Sequence, residues 1–313
     1  MKSLFKGLFL ALIASVFMAG CSLDQTSKGS DESSKNSGST DEKVKIGLSI
    51  STLNNPFFVT LKEGAEKKAK EEGIDITTVD AQNDPAKQVS DVEDLIQKGI
   101  DVLLINPTDS AAITAAIESA NNAGIPVITV DRSAEGGEVV AHIASDNTAG
   151  GKMAGEYLAE ALGESGKVIE LEGIPGSSAA RERGKGFNEA IATASGIEVV
   201  AKQPANFDRS QGLSVMENLL QSNKDIQAVF AHNDEMALGA VEALKAAGLE
   251  NVIVVGFDAT DDAVKAVEEG TMAATVAQKP DLIGQQAVDT AIQVKKGTKV
   301  EKFIPVELEL IKK

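Results

Sequence analysis

From Val44 onward the chain alternates short apolar runs with longer amphipathic stretches. KIGLSI is followed by FFVTLKEGAEKKAKEE, whose spacing predicts a helix over 57–72, ended by Gly73. IDITTVDA leads into PAKQVSDVEDLIQKG, and VLLINP into a helix opening at Asp109. IPVITVD closes a first series, with AHIAS after a Gly-rich turn. The pattern then restarts with a helix near 148–162, KVIELEG, a helix near 178–194, IEVVAK and a helix near 209–221. IQAVFAHND, VIVVGFD and MAATVAQ precede helices near 234–247, 261–269 and 281–296, and FIPVELELI ends the chain. Apolar runs alternating with amphipathic helices predict βαβ units and parallel sheets. The runs are Val/Ile-rich with little alternation, as strands covered on both faces require. About a dozen strands is large for one open sheet, so two sheets of roughly six fit better. The expectation is an α/β protein of two similar doubly wound lobes, cut near 145. No repeat of solenoid period is visible.

The segment before Val44 follows other rules. Lys2 and Lys6 precede an uncharged, largely apolar stretch from Gly7 to Gly20. It falls short of the about 20 apolar residues of a membrane span and fits a secretory signal over 1–20. Met18-Ala19-Gly20-Cys21 resembles a bacterial lipobox, with Met18 where Leu is commoner and Cys21 as the lipid attachment point. Cys21 is the chain's single cysteine. Residues 22–42 are almost wholly polar and Ser-rich, and cannot bury enough apolar surface to offset ordering entropy. Residues 21–42 are therefore expected to be a lipidated Cys and a flexible tether with a reach of about 25 Å.

The 313 residues suffice for two ordinary domains. The formal net charge is -17, with 30 Lys and Arg against 47 Asp and Glu. Phosphate binding needs a basic stripe, so a nucleic-acid partner is not expected, nor is electrostatic docking on anionic lipid. One cysteine excludes an intrachain disulfide and a Cys-based zinc site. Two histidines, His142 and His232, are too few for a His-rich metal site. No metal and no cofactor are expected. Gly173-Ile-Pro-Gly176-Ser-Ser is a small-residue loop where an anion could sit, but it lacks the nucleotide-loop spacings. G-x-S-x-G and H-E-x-x-H are absent. An enzyme is not expected.

Candidate chemistry gathers at the strand exits, where open α/β sheets bind ligands. KIGLSI is followed by Asn55, Phe57 and Phe58, VLLI by Asn106, and VITV by Asp131 and Arg132. VIELEG is followed by Arg181 and Arg183, IEVVAKQPAN by Phe207, AVFAH by Asn233 and Asp234, VVGF by Asp258 and MAATVA by Gln278. Amides donate and accept, carboxylates accept, and guanidinium groups donate in a fork, which is the mixture a polyol needs. Phe faces suit the C–H faces of a sugar ring. Two aspartates offset one or two arginines, which suits an uncharged ligand. Each residue also has a structural reading. Asn55-Pro56 and Asn106-Pro107 could be turn chemistry. Asp109, Asp146 and Asp234 could be helix caps. Phe57 and Phe58 could be core, and Arg181 a solvated helix residue. His232 reads as a structural residue.

Taken in order, STLNNPFF, INPTDS, IPVITVDR, HIASDN, SAARERG, FDR, NDEMALGA, VVGFD and ATVAQ resemble the type I periplasmic sugar-binding proteins, within them the D-ribose-binding receptors of bacterial ABC importers. The resemblance runs from about Val44 to the C-terminus. His232 stands where the resemblance leads to Gln. The signal and tether resemble lipoprotein members from Gram-positive bacteria. The resemblance implies ribose contacts from Asn55, Phe57, Phe58, Asn106, Asp131 and Arg132 in the first lobe. It implies others from Arg183, Phe207, Asn233, Asp258 and Gln278 in the second lobe or hinge. It implies a three-segment hinge, with lobes at 43–145 plus 279–307 and 146–278 plus 308–313. The function implied is a monomeric, lipid-anchored receptor on the outer face of the cell membrane that delivers D-ribose to an import permease. A related sugar (allose, another pentose or a furanose signalling molecule) is the alternative. A transcription regulator of the same fold needs an N-terminal helix-turn-helix, and the signal and acidic tether stand in that place.

Overall fold

The computed structural model describes residues 43–313; the signal-like segment, Cys21 and the tether lie outside the described residues. The first half of the chain runs β1 (Lys45–Ile50), α1 (Pro56–Glu72), β2 (Asp75–Asp80), α2 (Pro85–Gln97), β3 (Val102–Ile105), α3 (Thr114–Asn122), β4 (Val127–Val130) and β5 (Ala141–Ser145). The second runs α4 (Asn147–Ala161), β6 (Ser165–Glu172), α5 (Ser178–Ile191), β7 (Gly196–Pro204), α6 (Arg209–Leu220), β8 (Ala228–Ala231), α7 (Asp234–Ala246), β9 (Ile253–Asp258), α8 (Asp261–Glu269) and β10 (Ala274–Ala277). The chain ends with α9 (Pro280–Lys295), β11 (Phe303–Val306) and β12 (Glu309–Lys312).

The strands form two six-stranded sheets, ordered β11-β5-β4-β3-β1-β2 and β12-β10-β9-β8-β6-β7. The two orders are the same topology used twice. They differ at one edge: β11 runs parallel to β5, whereas β12 runs antiparallel to β10. Strands β3, β4 and β8 are buried along their whole length. Helices α1 and α9 cover one face of the first sheet, and α2 and α3 the other; α4 and α5 cover one face of the second sheet, and α6 and α7 the other. Each face carries its own apolar cluster, so burial holds each sheet between two helical layers.

Local sequence sets the helix ends. Asn55 accepts the Phe57 N–H at 2.9 Å, Pro56 occupies the first turn without an N–H to satisfy, and Gly73 closes α1 at φ 68°. Asp84, Asp146 and Asp208 cap α2, α4 and α6 in the same way.

Three details depart from the sequence reading. Helix α3 starts at Thr114, not at Asp109; the Asp109 carboxylate accepts the N–H groups of Ala111 and Ala112, holding a separate turn before the helix. The cap of α7 is Asn233, whose Oδ1 accepts from Met236 N, while Asp234 is buried inside the first turn and accepts from Thr275 Oγ1. The final apolar run is two strands, one in each sheet. The chain thus crosses between the sheets after β5, after β10 and between β11 and β12, so a single cut near 145 describes only the first crossing.

Candidate functional site

The carboxyl ends of both sheets face one cleft. At its centre is a small hollow lined by Asn55, Phe57, Asp131, Arg132, Ala179, Arg183, Phe207, Asn233 and Asp258. Eight of the eleven residues that the resemblance implies as sugar contacts therefore meet around one space. Phe58 borders an adjoining hollow on one side, and Gln278 borders another. Asn106 lines none of the three. Its amide is already engaged, accepting from Ser51 N at 3.3 Å and donating to Val130 O at 3.0 Å and to Asp131 Oδ2 at 3.2 Å. It ties the ends of β1, β3 and β4 together and fixes one oxygen of Asp131.

The other candidates divide between holding the frame and facing the cleft. Asn55 uses its oxygen as a helix cap, which leaves its NH₂ group to donate. Asn233 does the same at α7, and its Nδ2 donates to Phe207 O at 3.4 Å. Arg183 donates from Nε to Asn147 Oδ1 at 2.8 Å and from Nη1 to His232 O at 2.7 Å, and lies 3.4 Å from Asp258. Gln278 donates to Asp258 Oδ1 at 2.8 Å. The Arg132 guanidinium sits between two rings, 5.0 Å from the centre of Phe58 and 5.1 Å from that of Phe207, so aromatic faces from both lobes hold it.

Asp131, Phe207 and Asp258 all have positive φ, at 61°, 60° and 115°. Non-glycine residues in this region carry strain of order 1–3 kcal/mol each, and such strain concentrates at functional sites. Here it turns two carboxylates and one ring into the cleft.

Two arginines and two aspartates share the site, so its formal charges cancel. Burial pushes the Asp131 carboxyl up, against the pull of Arg132 and Arg183. Burial likewise pushes Asp258 up to about 7, although Arg183 and Gln278 oppose it. Burial brings Arg132 down to about 10, with Asp131 holding it against a larger fall. Among the described residues, Asp131 Oδ1, Arg132 Nε and Gln278 Oε1 are buried without a hydrogen-bond partner. A buried polar atom without a partner costs about 1–3 kcal/mol, so three in one cleft mark where a ligand's polar groups belong. The offered set is two acceptors and one donor, flanked by Phe57, Phe58 and Phe207: hydroxyl chemistry beside apolar ring faces.

A sequence profile of the periplasmic binding protein domain matches residues 46–299. The chain belongs to the periplasmic binding protein family. Among its relatives in this family, the ribose import binding protein RbsB of Bacillus subtilis is 54% identical over 308 residues, covering 97% of this chain and 98% of the relative. RbsB of Escherichia coli is 58% identical over 271 residues, covering 87% and 91%. Of solved structures, an ABC transporter solute binding protein from Actinobacillus succinogenes with bound D-allose superposes with a TM-score of 0.82 at 34% identity, covering 86% of this chain and 98% of that one. Another, from Mycobacterium smegmatis with bound glycerol, reaches 0.84 at 37% identity, covering 86% and 94%.

Some parts of this periplasmic binding protein site escaped the sequence reading. Phe257 supports Arg183, whose guanidinium lies 3.8 Å from the ring centre. Asn147, at the first crossing, holds the Nε of the same arginine. Arg181 is exposed, but it spans the lobes, donating to Glu135 Oε1 at 2.8 Å and to Gly176 O at 3.0 Å. Phe257 stands one residue before Asp258 and Asn147 ends the HIASDN segment, whereas Arg181 stood among the strand-exit residues and its reading as a solvated helix residue missed the contact with Glu135. Among the described residues no group of three or more His, Cys, Asp or Glu is placed to hold a metal ion, and no helix is long and apolar enough to cross a membrane.

Proposed function

We propose that the protein is an extracytoplasmic receptor that captures D-ribose between its two lobes and delivers it to an ABC import permease. The single observation that carries this reading is the cleft itself. It is charge-balanced, walled by phenylalanines, and carries Asp131 Oδ1, Arg132 Nε and Gln278 Oε1 unpaired. The 54–58% identity to ribose import binding proteins over most of the chain supports ribose as the sugar. The role is capture and release, not turnover.

In this reading the rigid bodies are 43–145 plus 279–307 and 146–278 plus 308–313, hinged at the three crossings. Ribose hydroxyls donate to Asp131 and Asp258 and accept from Arg132, Arg183 and the amide groups of Asn55 and Asn233. Asn106 acts through Asp131. Charged partners contribute about 1.5–3 kcal/mol per hydrogen bond. Closure buries the sugar, so a misplaced hydroxyl leaves a buried group unpaired and the wrong sugar is rejected. Phe57 and Phe58 from one lobe and Phe207 from the other cover the ring. Lipid on Cys21 and the 22–42 tether would keep this monomeric receptor beside its permease.

A thermal-denaturation experiment tests the reading. D-ribose at about a hundred times its Kd stabilises by about 2.7 kcal/mol, which raises Tm by about 5 °C or more. D-allose gives the second reading its chance, because a D-allose-binding relative is 36% identical. A shift with D-allose but not with D-ribose would move the assignment to that sugar.

A further inference from the structure

His232 does not line the hollow, yet its ring and backbone hold residues that do, or their supports. The imidazole is fully buried just beyond the end of β8. Its Nδ1 lies 3.3 Å from Gly173 N, and its Nε2 lies 2.9 Å from Glu170 Oε1. A backbone N–H can only donate, so Nδ1 must be the unprotonated acceptor. Nε2 then carries the hydrogen and donates to the carboxylate. The backbone of the same residue accepts Arg183 Nη1 at 2.7 Å, and Asn233 follows it in the chain. Gly173 is the floor beneath Phe207: a Cβ built there would lie 2.0 Å from Phe207 Cζ. The ring therefore bolts the end of β6 to the end of β8, directly behind Arg183, Phe207 and Asn233.

Burial and the charge of Arg183 oppose a second proton on this ring, while Glu170 and Glu172 favour it. α5 packs closely on the ring, with a Cβ at Gly184 only 3.1 Å from His232 Cε1. The charged groups around it are Glu170 and Glu172 on β6, Lys202 on β7, which reaches Glu170 at 3.4 Å, and Arg183 on α5. Asn188 of α5 also donates to Glu170, so that carboxylate is fully engaged. Burial lowers the histidine's pKa against the pull of Glu170. A proton on Nδ1 would set two donors face to face and push Gly173 away.

We propose that His232 is a positioning residue of the sugar site: its Nε2-protonated ring holds Gly173 and the Arg183 anchor in register, and protonation of Nδ1 releases them and weakens sugar binding. The proposal rests on the ribose reading above.

The test is calorimetric titration of D-ribose into wild type, His232→Gln and His232→Leu from pH 8 to pH 5. A glutamine oxygen can accept from Gly173 and its amide can donate to Glu170, without a titrating proton. Asp131 and Asp258 are present in all three proteins, so the ratio of wild-type to His232→Gln affinity removes their direct titration and leaves the part that depends on the histidine. The ratio is expected to stay within about threefold of unity at pH 8 and to fall at least threefold from that value by pH 5. His232→Leu, with its melting transition intact, is expected to bind at least tenfold more weakly than wild type at pH 8. A ratio flat in pH overturns the proposal, and so does a folded leucine variant that binds within twofold of wild type. If the leucine variant does not fold, the glutamine ratio still decides. Wild type that binds no ribose at pH 8 would instead overturn the ribose reading, a result the two variants cannot imitate.

Discussion

At the scale of single residues, the site rests on two arginine–carboxylate arrangements, each with a different support. Asp131 is fixed by Asn106 behind it and flanked by Arg132, whose Nε lies 3.7 Å from Asp131 Oδ2. Asp258 is fixed by Gln278 and faces Arg183. Removing one partner leaves a buried charge uncompensated, which is costlier than removing both. Asp131→Ala or Arg183→Ala is therefore expected to weaken D-ribose binding at least tenfold while the melting transition survives; binding within twofold of wild type in either variant would count against this pocket. Asn55 and Asn106 show where sequence reading stops. Both are asparagines before proline at a strand exit, and the residues taken singly favoured turn chemistry over ligand contact. Asn55 caps a helix and still faces the hollow, whereas Asn106 is consumed by three protein partners. The difference lies in how far each strand runs beneath its neighbours, and no local pattern encodes that.

At the scale of elements, the βα alternation was legible because the inner strands are buried on both faces and the helices bury one. Helix starts at Pro56 and Pro85 carried their own caps and prolines. The start of α3 was not legible, because Ser110 gives its N–H to Gly176 O of the other lobe and the turn at Asp109 stands apart from the helix. The split of the last apolar run into β11 and β12 was absent from the apolar pattern, and only the family resemblance divided the run, at 307/308. One prediction belongs to β5. His142 Nδ1 on that strand lies 2.9 Å from Thr129 Oγ1 and its ring stacks on Phe303, and burial brings its pKa down to about 4. Between about pH 6.5 and pH 4 the unfolded chain takes up a proton that the folded one refuses. The stability tied to this group is thus fully present above about pH 6.5 and is lost as the pH falls toward 4, on the order of 2 kcal/mol. Urea denaturation at pH 7.5 and pH 4.5 is expected to show a smaller loss for His142→Gln than for wild type. Equal losses would mean that His142 titrates freely in the fold.

At the scale of the whole molecule, two lobes of one topology close on each other through a polar clasp beside the hollow. Ser110 N meets Gly176 O at 2.9 Å, Ser133 N meets Ser178 Oγ at 2.9 Å, and Arg181 meets Glu135. Gly176 is needed there, since a Cβ would lie 1.9 Å from Asp109 Oδ2 across the cleft. The Arg181–Glu135 pair is exposed, and exposed pairs contribute about 0–1 kcal/mol. Arg181→Ala is accordingly expected to weaken ribose binding by no more than about fivefold, with the difference vanishing in about 1 M salt. A loss that persists in high salt would give Arg181 a role other than ion pairing. The central claim, that the cleft is a D-ribose site, is tested most directly by calorimetric titration with D-ribose beside D-allose, D-xylose and D-galactose. The account predicts micromolar or tighter binding, about -8 kcal/mol or better, to D-ribose and not to the three controls. Silence with D-ribose from folded protein shown to be free of carried-over sugar would contradict it.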